Sequence, residues 1–471
     1  MTKLTHLTTL ASAIALASCA AGPDYAPPVT PANAAGPFIA ATGPAIQRLA
    51  PVEGAWWRLY DDPVLDGLVA DALAANTDVR VAVARLAKAQ AALREVKVDR
   101  LPDVGANAAF TDGRLAEGQQ KPGDNDTDTS FDVGLGISYE VDLFGRVSRD
   151  VEASRGDLYA AEADADAVRV AVAAETTRAY ADAASAAERL AVATRIVALL
   201  DQSLKVTSRR VEVGLNSRLD SARIAALRHQ RQAEVPAIAA ERDAALFRLT
   251  MLTGRAPAGL SLAAGARDNA LKLARPIPVG DGAQLLARRP DVRAAERRLA
   301  AATARIGVAT AELYPRITLG GSASSTAGSI GGLLSGGPVN WVLGPLISWA
   351  FSDHARARAR VAGAEAGTQE ALAQFDGTIL RSLQETETAL SAYSSALQRR
   401  QALGAARDEA AVAARITRAR QREGEVDSLA LLDAERTFAE SEAELAEMNG
   451  RVADAQIDLF RALGGGWNPN A

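Results

Sequence analysis

The chain has 471 residues, 48% of them hydrophobic and 23% charged, with a net charge of −5, one cysteine and three histidines. Alanine fills 104 positions, about 22%, whereas aromatic residues make up 4%. A single cysteine excludes an internal disulfide framework and any cysteine-built zinc or iron–sulfur site. Slight acidity without basic blocks speaks against nucleic acid as the partner, and no apolar run of about 18 residues marks a transmembrane helix in the mature chain.

Residues 1–18 read as a secretory signal, with Lys3 near the start and an apolar stretch from Leu7 to Leu16. Leu16-Ala17-Ser18-Cys19 then resembles a bacterial lipobox. In that chemistry Cys19 takes a diacylglycerol on its thiol and an N-acyl chain on its new amine, and no other cofactor or metal is expected. Several acyl chains, at about 0.8 kcal/mol per buried CH₂, make a lasting anchor. Ala20 rather than Asp follows, which points to the outer membrane. Residues 22–51 hold seven prolines. Proline fixes φ and lacks an amide donor, so residues 19–60 are expected to be an extended, irregular strap.

The body is a unit written twice. Asp78–Pro102 aligns with Asp291–Pro315 at an offset of 213 with ten of 25 positions identical, and Gly214/Gly424 and Leu252/Leu463 continue the pattern. The expected division is residues 61–254 for the first copy, 255–290 for a linker, 291–465 for the second copy and 466–471 for a tail. Each copy predicts a medium helix, two strands, a very long helix, a turn and a medium helix. The long helices, Arg146–Val213 and Asp353–Glu423, contain no proline, and at 1.5 Å per residue each reaches about 100 Å. Apolar residues at seven-residue spacing (Leu190, Val197, Leu204, Val211; Leu431, Phe438, Leu445, Val452, Leu459) predict coiled-coil-like packing. Alanine suits it, as the best helix former and a side chain that permits close approach.

Four segments alternate with period two: 104–114, 130–144, 315–325 and 338–351. In the clearest, Phe131, Val133, Leu135, Ile137, Tyr139, Val141 and Leu143 share one face opposite Asp132, Gly134, Gly136, Ser138, Glu140 and Asp142. Val339, Trp341, Leu343, Ile347, Trp349 and Phe351 form a comparable face. The four segments hold seven of the 21 aromatics in about 11% of the chain. Apolar-out, polar-in strands with aromatic girdles suit an outer-membrane barrel. Four strands cannot close one, because in lipid every backbone amide needs a partner and the smallest usual barrels have eight strands. The chain must therefore oligomerise if these strands lie in a membrane; a dimer and a trimer both remain open on this ground.

At this point the motifs resemble those of a known family. Cys19-Ala20-Ala21-Gly22-Pro23-Asp24-Tyr25, Trp57-Arg58-Leu59-Tyr60-Asp61-Asp62-Pro63, Leu285-Leu286-Ala287-Arg288-Arg289-Pro290-Asp291-Val292-Arg293-Ala294-Ala295-Glu296, Tyr314-Pro315 and Ala462-Leu463-Gly464-Gly465-Gly466-Trp467 occur in order. The mature chain is similar throughout to the TolC-like outer-membrane factors, specifically the NodT-type lipoproteins of RND efflux systems. That resemblance implies a mostly α fold with a small β part: a homotrimer forming an α-helical periplasmic tunnel under a 12-stranded outer-membrane β-barrel. It implies as partners a periplasmic adaptor (membrane fusion protein), an inner-membrane RND pump and outer-membrane lipid. The turns Gly214-Leu215-Asn216-Ser217 and Gly424-Glu425-Val426-Asp427-Ser428 would form the adaptor-docking tip. Asp220 and Asp433 would lie at the periplasmic constriction, although Ala430 stands where other members carry an acid.

No catalytic constellation is evident, since His229 and His354 are isolated in helical segments. The Arg288-Arg289-Pro290-Asp291 run reads as proline at helix position N1 with an acid in the first turn. Glycines 214 and 424 read first as helix caps. The expected function is passive export of small toxic compounds or drugs from periplasm to exterior, with no enzymatic activity. The alternatives are an exit duct for type I protein secretion and a periplasmic lipoprotein adaptor or scaffold, which would need no lipid-facing strands.

Overall fold

Prolines, glycines and short polar side chains set where each helix begins and ends. The computed structural model describes residues 20–29, 32–48, 50, 54–113, 128–259, 261–334, 339–349 and 353–465. Cys19, Phe351 and Trp467 lie outside them. In chain order come strand β1 (Ile46–Gln47), helices α1 (Pro63–Ala75) and α2 (Thr77–Val98), strands β2 (Asp103–Gly113) and β3 (Asp128–Val141), and helices α3 (Arg146–Glu212) and α4 (Arg218–Leu252). Then follow β4 (Ile277–Pro278), α5 (Gly282–Arg288), α6 (Pro290–Ala311), β5 (Arg316–Ala327), α7 (Ile330–Leu334), β6 (Val339–Ser348), α8 (His354–Glu423) and α9 (Ser428–Ala462). The order medium helix, two strands, long helix, turn, medium helix occurs twice. Helix α3 has 67 residues and α8 has 70, about 100 Å each. Five of these elements go beyond the sequence reading: α1, α5, the short α7 in the β5–β6 connection, and the paired two-residue strands β1 and β4. No helix among the described residues is long and apolar enough to cross a membrane.

The chain divides into two compact units. The first comprises residues 1–28, 85–162 and 294–376. Its four strands make one antiparallel sheet in the order β2-β3-β5-β6, so the pairing of β3 with β5 joins the two copies. The strap residues 20–28 run without regular structure, as their prolines dictate. Here the Arg149 guanidinium donates to Asp24 at 2.6 Å, and the Tyr25 hydroxyl donates to Glu296 at 2.5 Å. Burial and the Glu296 carboxylate hold the Tyr25 phenol above its usual pKa. The one glycine of α3, Gly156, lies on α6, where an added Cβ would stand 2.9 Å from the Ala301 methyl.

The second unit comprises residues 29–84, 163–293 and 377–471. Its core gathers Trp56, Trp57, Tyr60, Tyr180, Leu390, Ile457, Leu459 and Phe460, with Trp56 stacked on Phe460 at a centroid separation of 4.6 Å. Full burial of side chains this large stabilises by about 1.5–3 kcal/mol each. Asp62 caps α1 by accepting from the amides of Val64 and Leu65 at 2.9 and 3.3 Å, and its other oxygen accepts from the Tyr180 hydroxyl at 2.9 Å and Arg267 at 2.7 Å. The Trp-Arg-Leu-Tyr-Asp-Asp-Pro motif is therefore a core plug followed by a helix cap.

Packing along α3 differs from the expected seam. Leu190, Val197, Leu204 and Val211 are half-buried, while Val192, Ile196 and Leu200 enter a core cluster with Leu227, Ala439 and Ala446. Ala186, Ala193, Leu200 and Thr207 are buried at seven-residue spacing, so the period is kept and the seam lies on neighbouring positions.

Candidate functional site

The sheet presents a continuous apolar face. Antiparallel partners point to the same side, and the register places Val104 opposite Ile137, Ala106 opposite Leu135, Ala108 opposite Val133 and Phe110 opposite Phe131. Across the next pairing Tyr139 faces Leu319 and Val141 faces Ile317; beyond it Ile347 faces Ile317, Leu343 faces Gly321 and Trp341 faces Ala323. Most of these large side chains are exposed, Trp341 at 75%, while Phe131, Tyr139, Val141 and Ile317 are half-buried. A contiguous exposed apolar surface of this kind marks an interface with another protein or with lipid. The Phe110 and Phe131 rings meet at 5.0 Å near one end of this face, and Phe144 stacks on Tyr314 at 4.6 Å past the other.

The opposite face carries Asn107, Asp132, Ser138, Glu140, Thr318, Ser322, Ser324 and Asn340, interrupted in β6 by Val342 and Leu346. Asp132 accepts from Thr326 at 2.5 Å and Ser130 at 3.0 Å. Strands of 10 to 14 residues have the length that crosses a bilayer when tilted. Strands β2 and β6 form the two edges and have no outer partner among the described residues. Pro345 sits in edge strand β6, the position that tolerates a residue with no amide donor.

Two expected members of the apolar face lie beyond the strands. Leu143 lies beyond β3, which ends at Val141. Asp142 stops the strand by turning its carboxylate onto the first amides of α3, accepting from Val147 at 2.9 Å and Ser148 at 2.8 Å. Trp349 likewise follows the end of β6 at Ser348.

In the second unit the two expected tip turns are built alike. Gly214 and Gly424 have φ of +76° and +79°, a conformation that favours glycine. Leu215 N–H donates to the Arg210 carbonyl and Gly214 N–H to that of Val211; Glu425 and Gly424 donate in the same way to Arg420 and Gln421. Each is a Schellman ending. Arg210 donates to the Gln421 carbonyl at 2.8 Å, and the Asn216 amide donates to the buried Ser428 hydroxyl. Leu215 is exposed, and Val426 half-buried.

The following helices are capped by different residues. Ser217 and Asp220 make a reciprocal capping box at the start of α4. In α9 the N-cap is Asp427, which accepts from the Ala430 amide at 2.8 Å. The acid has moved from the third helical position to the cap itself, which accounts for alanine at 430. The structure thus gives Asp220 a helix-capping role, while Asp433 is exposed on α9, its carbonyl accepting from Thr437 at 3.0 Å.

The Arg-Arg-Pro-Asp run holds more than a helix start. Pro290 does open α6. Arg289 is buried, chelates Asp291 at 2.9 and 2.7 Å, and donates to Glu385 at 2.8 Å and to the Ala462 carbonyl at 3.0 Å. Arg288 donates to the Leu463 carbonyl, and burial lowers its pKa to about 10. Two cations thus complete the carbonyl end of α9. His354 opens α8, and His229 lies beside Arg228. Among the described residues no three His, Cys, Asp or Glu side chains group to hold a metal.

The model of a family described as "Outer membrane efflux protein" matches residues 68–255 and 282–465. The chain belongs to the outer membrane efflux protein family. It is 32% identical to outer membrane protein OprJ of Pseudomonas aeruginosa, over 97% of this chain and 95% of that protein. It is 29% identical to nodulation protein T of Rhizobium leguminosarum bv. trifolii, over 100% of this chain and 99% of that protein. Its fold matches the solved outer-membrane channel OprN with a TM-score of 0.88 at 37% identity, covering 96% of this chain and 100% of that one. As an outer membrane efflux protein, the chain is an outer-membrane channel component whose sheet contributes to a β-barrel and whose long helices form a periplasmic tunnel. The family is one of transport proteins.

Proposed function

We propose that this efflux protein works as a homotrimeric exit duct for small toxic compounds, fed by an inner-membrane RND pump through a periplasmic adaptor. The observation that carries the reading is the sheet: four strands, one apolar face and two edges without a partner among the described residues. Lipid leaves no backbone amide unpaired. Three copies joined β2 to β6 close twelve strands, and conduction is passive because the duct supplies no energy. The two capped turns at Gly214–Ser217 and Gly424–Ser428 are the adaptor-docking tip, and Asp220 and Asp433 lie near the entrance. Cys19 carries the acyl chains, and no catalytic step is assigned to any residue. Deleting the gene is expected to raise intracellular accumulation of a fluorescent dye, with plasmid-borne protein restoring efflux; unchanged accumulation overturns the reading.

A further inference from the structure

The exposed cations around the two tip turns outnumber what the local acids satisfy. Arg209 pairs with Glu212 at 2.8 Å, Arg420 with Glu425 at 3.6 Å, and Arg418 with Glu435 one turn further on. Asp220 and Asp427 are occupied as helix caps. Lys205, Arg218, Arg223, Arg415 and Arg422 are exposed and have no ion pair among the described residues. Against these five stand three exposed acids without an ion pair, Glu423, Asp433 and the cap residue Asp427. The chain as a whole carries net charge −5, so the excess of positive charge is local.

Apolar side chains repeat among these cations. Val206 and Ile416 are each 50% exposed, and Leu219 and Leu429 are 57% and 52% exposed. Both pairs are related by 210 residues, like the tip glycines. Leu215, in the place where a Schellman ending usually packs an apolar residue back onto its helix, is instead 70% exposed. Apolar residues ringed by unpaired cations form a surface that pairs with the opposite sign of charge and with apolar side chains together.

We propose that the tip built from residues 205–223 and 415–433 docks a helical hairpin whose own turn is apolar and flanked by acidic residues. This rests on the reading of the tip as an adaptor-docking site and specifies the chemistry of that adaptor. Rim charges act chiefly on encounter rate and specificity, so the preference is strongly salt-dependent. Arg218 and Arg223 steer the partner from the α4 side, and Lys205 and Arg415 from the two long helices.

Two synthetic helical hairpins test it, one with leucines at the turn flanked by glutamates and the other identical except for lysines in place of the glutamates. Binding to the full-length protein in detergent is measured at low and high salt. The glutamate hairpin is expected to bind about tenfold more tightly at low salt, with the advantage collapsing at high salt. Arg218→Glu with Arg223→Glu, and separately Lys205→Glu with Arg415→Glu, are expected to reverse the preference. Equal binding of both hairpins, or tighter binding of the lysine hairpin, overturns the charge assignment while leaving tip docking in place. Binding of neither hairpin, with no disulfide trapping of a cysteine-bearing hairpin at Ser217→Cys or Glu425→Cys, both exposed positions, overturns the docking reading and this proposal with it.

Discussion

Arg289 donates to the main-chain oxygen of Ala462 at 3.0 Å, across a sequence separation of 173 residues. The bond ties the start of α6 to the end of α9, and the same guanidinium chelates Asp291 and reaches Glu385. Replacing Arg289 by methionine keeps the bulk and removes all four donations. Asp291 and Glu385 are about two-fifths exposed and rehydrate, so the expected loss is about 2 kcal/mol rather than the larger cost of stranding buried charges. Thermal unfolding of the purified protein in detergent checks this; an unchanged midpoint would show that the clamp is dispensable.

Asp454 predicts a pH effect. Three acids gather where α3 meets α9, and two arginines serve them: Arg248 pairs with Asp182 at 3.0 Å and Arg178 with Asp458. Asp454 is left over. Burial first, then the charge of Asp182, lifts its pKa to about 6. A carboxyl whose pKa is raised on folding binds more protons folded than unfolded, so stability rises as pH falls from about 6 towards the ordinary carboxylate range. Asp454→Asn is expected to be more stable than the parent at pH 7 by about 1 kcal/mol, discounted for partial solvent access. The gain should vanish towards pH 4. Melting temperatures across that range decide it, and a variant that melts lower at neutral pH refutes the assignment.

The tip caps are open to separate measurement. Ser217→Ala removes one half of the capping box at α4, and Asp427→Ala removes the cap of α9. Each is expected to weaken its helix start by about 1 kcal/mol. Hydrogen exchange should speed up in residues 215–222 for the first and 425–432 for the second. The core near Trp56 and Phe460 should keep its protection, because fraying at a helix end stays local. Exchange unchanged at both turns would mean that the caps contribute nothing in solution.

Gly156 tests the close approach within the first unit. An alanine methyl there would meet Ala301 at 2.9 Å, so α3 and α6 must separate or bend. The expected loss for Gly156→Ala is about 1–3 kcal/mol, although alanine is otherwise the better helix former by about 1 kcal/mol. A higher melting temperature would show that the two helices yield freely.

Most of the scaffold was legible because its signals are local. Alternation from Phe131 to Val141 reports a half-exposed strand wherever the strand sits, and a long stretch without proline reports a helix. Glycines 214 and 424 marked the helix ends because positive φ is a demand on one residue. What was missed depends on which partner a side chain takes. Arg289 reads as an ordinary residue before a helix until Ala462 is brought beside it. Asp220 reads as a pore acid by resemblance, and a sequence reading does not see that its carboxylate also accepts from the Ser217 amide. Leu143 continued the alternation by one step too many because Asp142 serves the helix that follows. The seven-residue period on α3 holds, but its buried line runs through Ala193, Leu200 and Thr207, because sequence spacing does not say on which side a helix's neighbours lie.

The central claim is that the four strands of each chain close only in threes. Native mass spectrometry of the detergent-extracted protein measures this directly. A single species at three times the protomer mass is the predicted result, and a monomer or a dimer as the dominant species would contradict it.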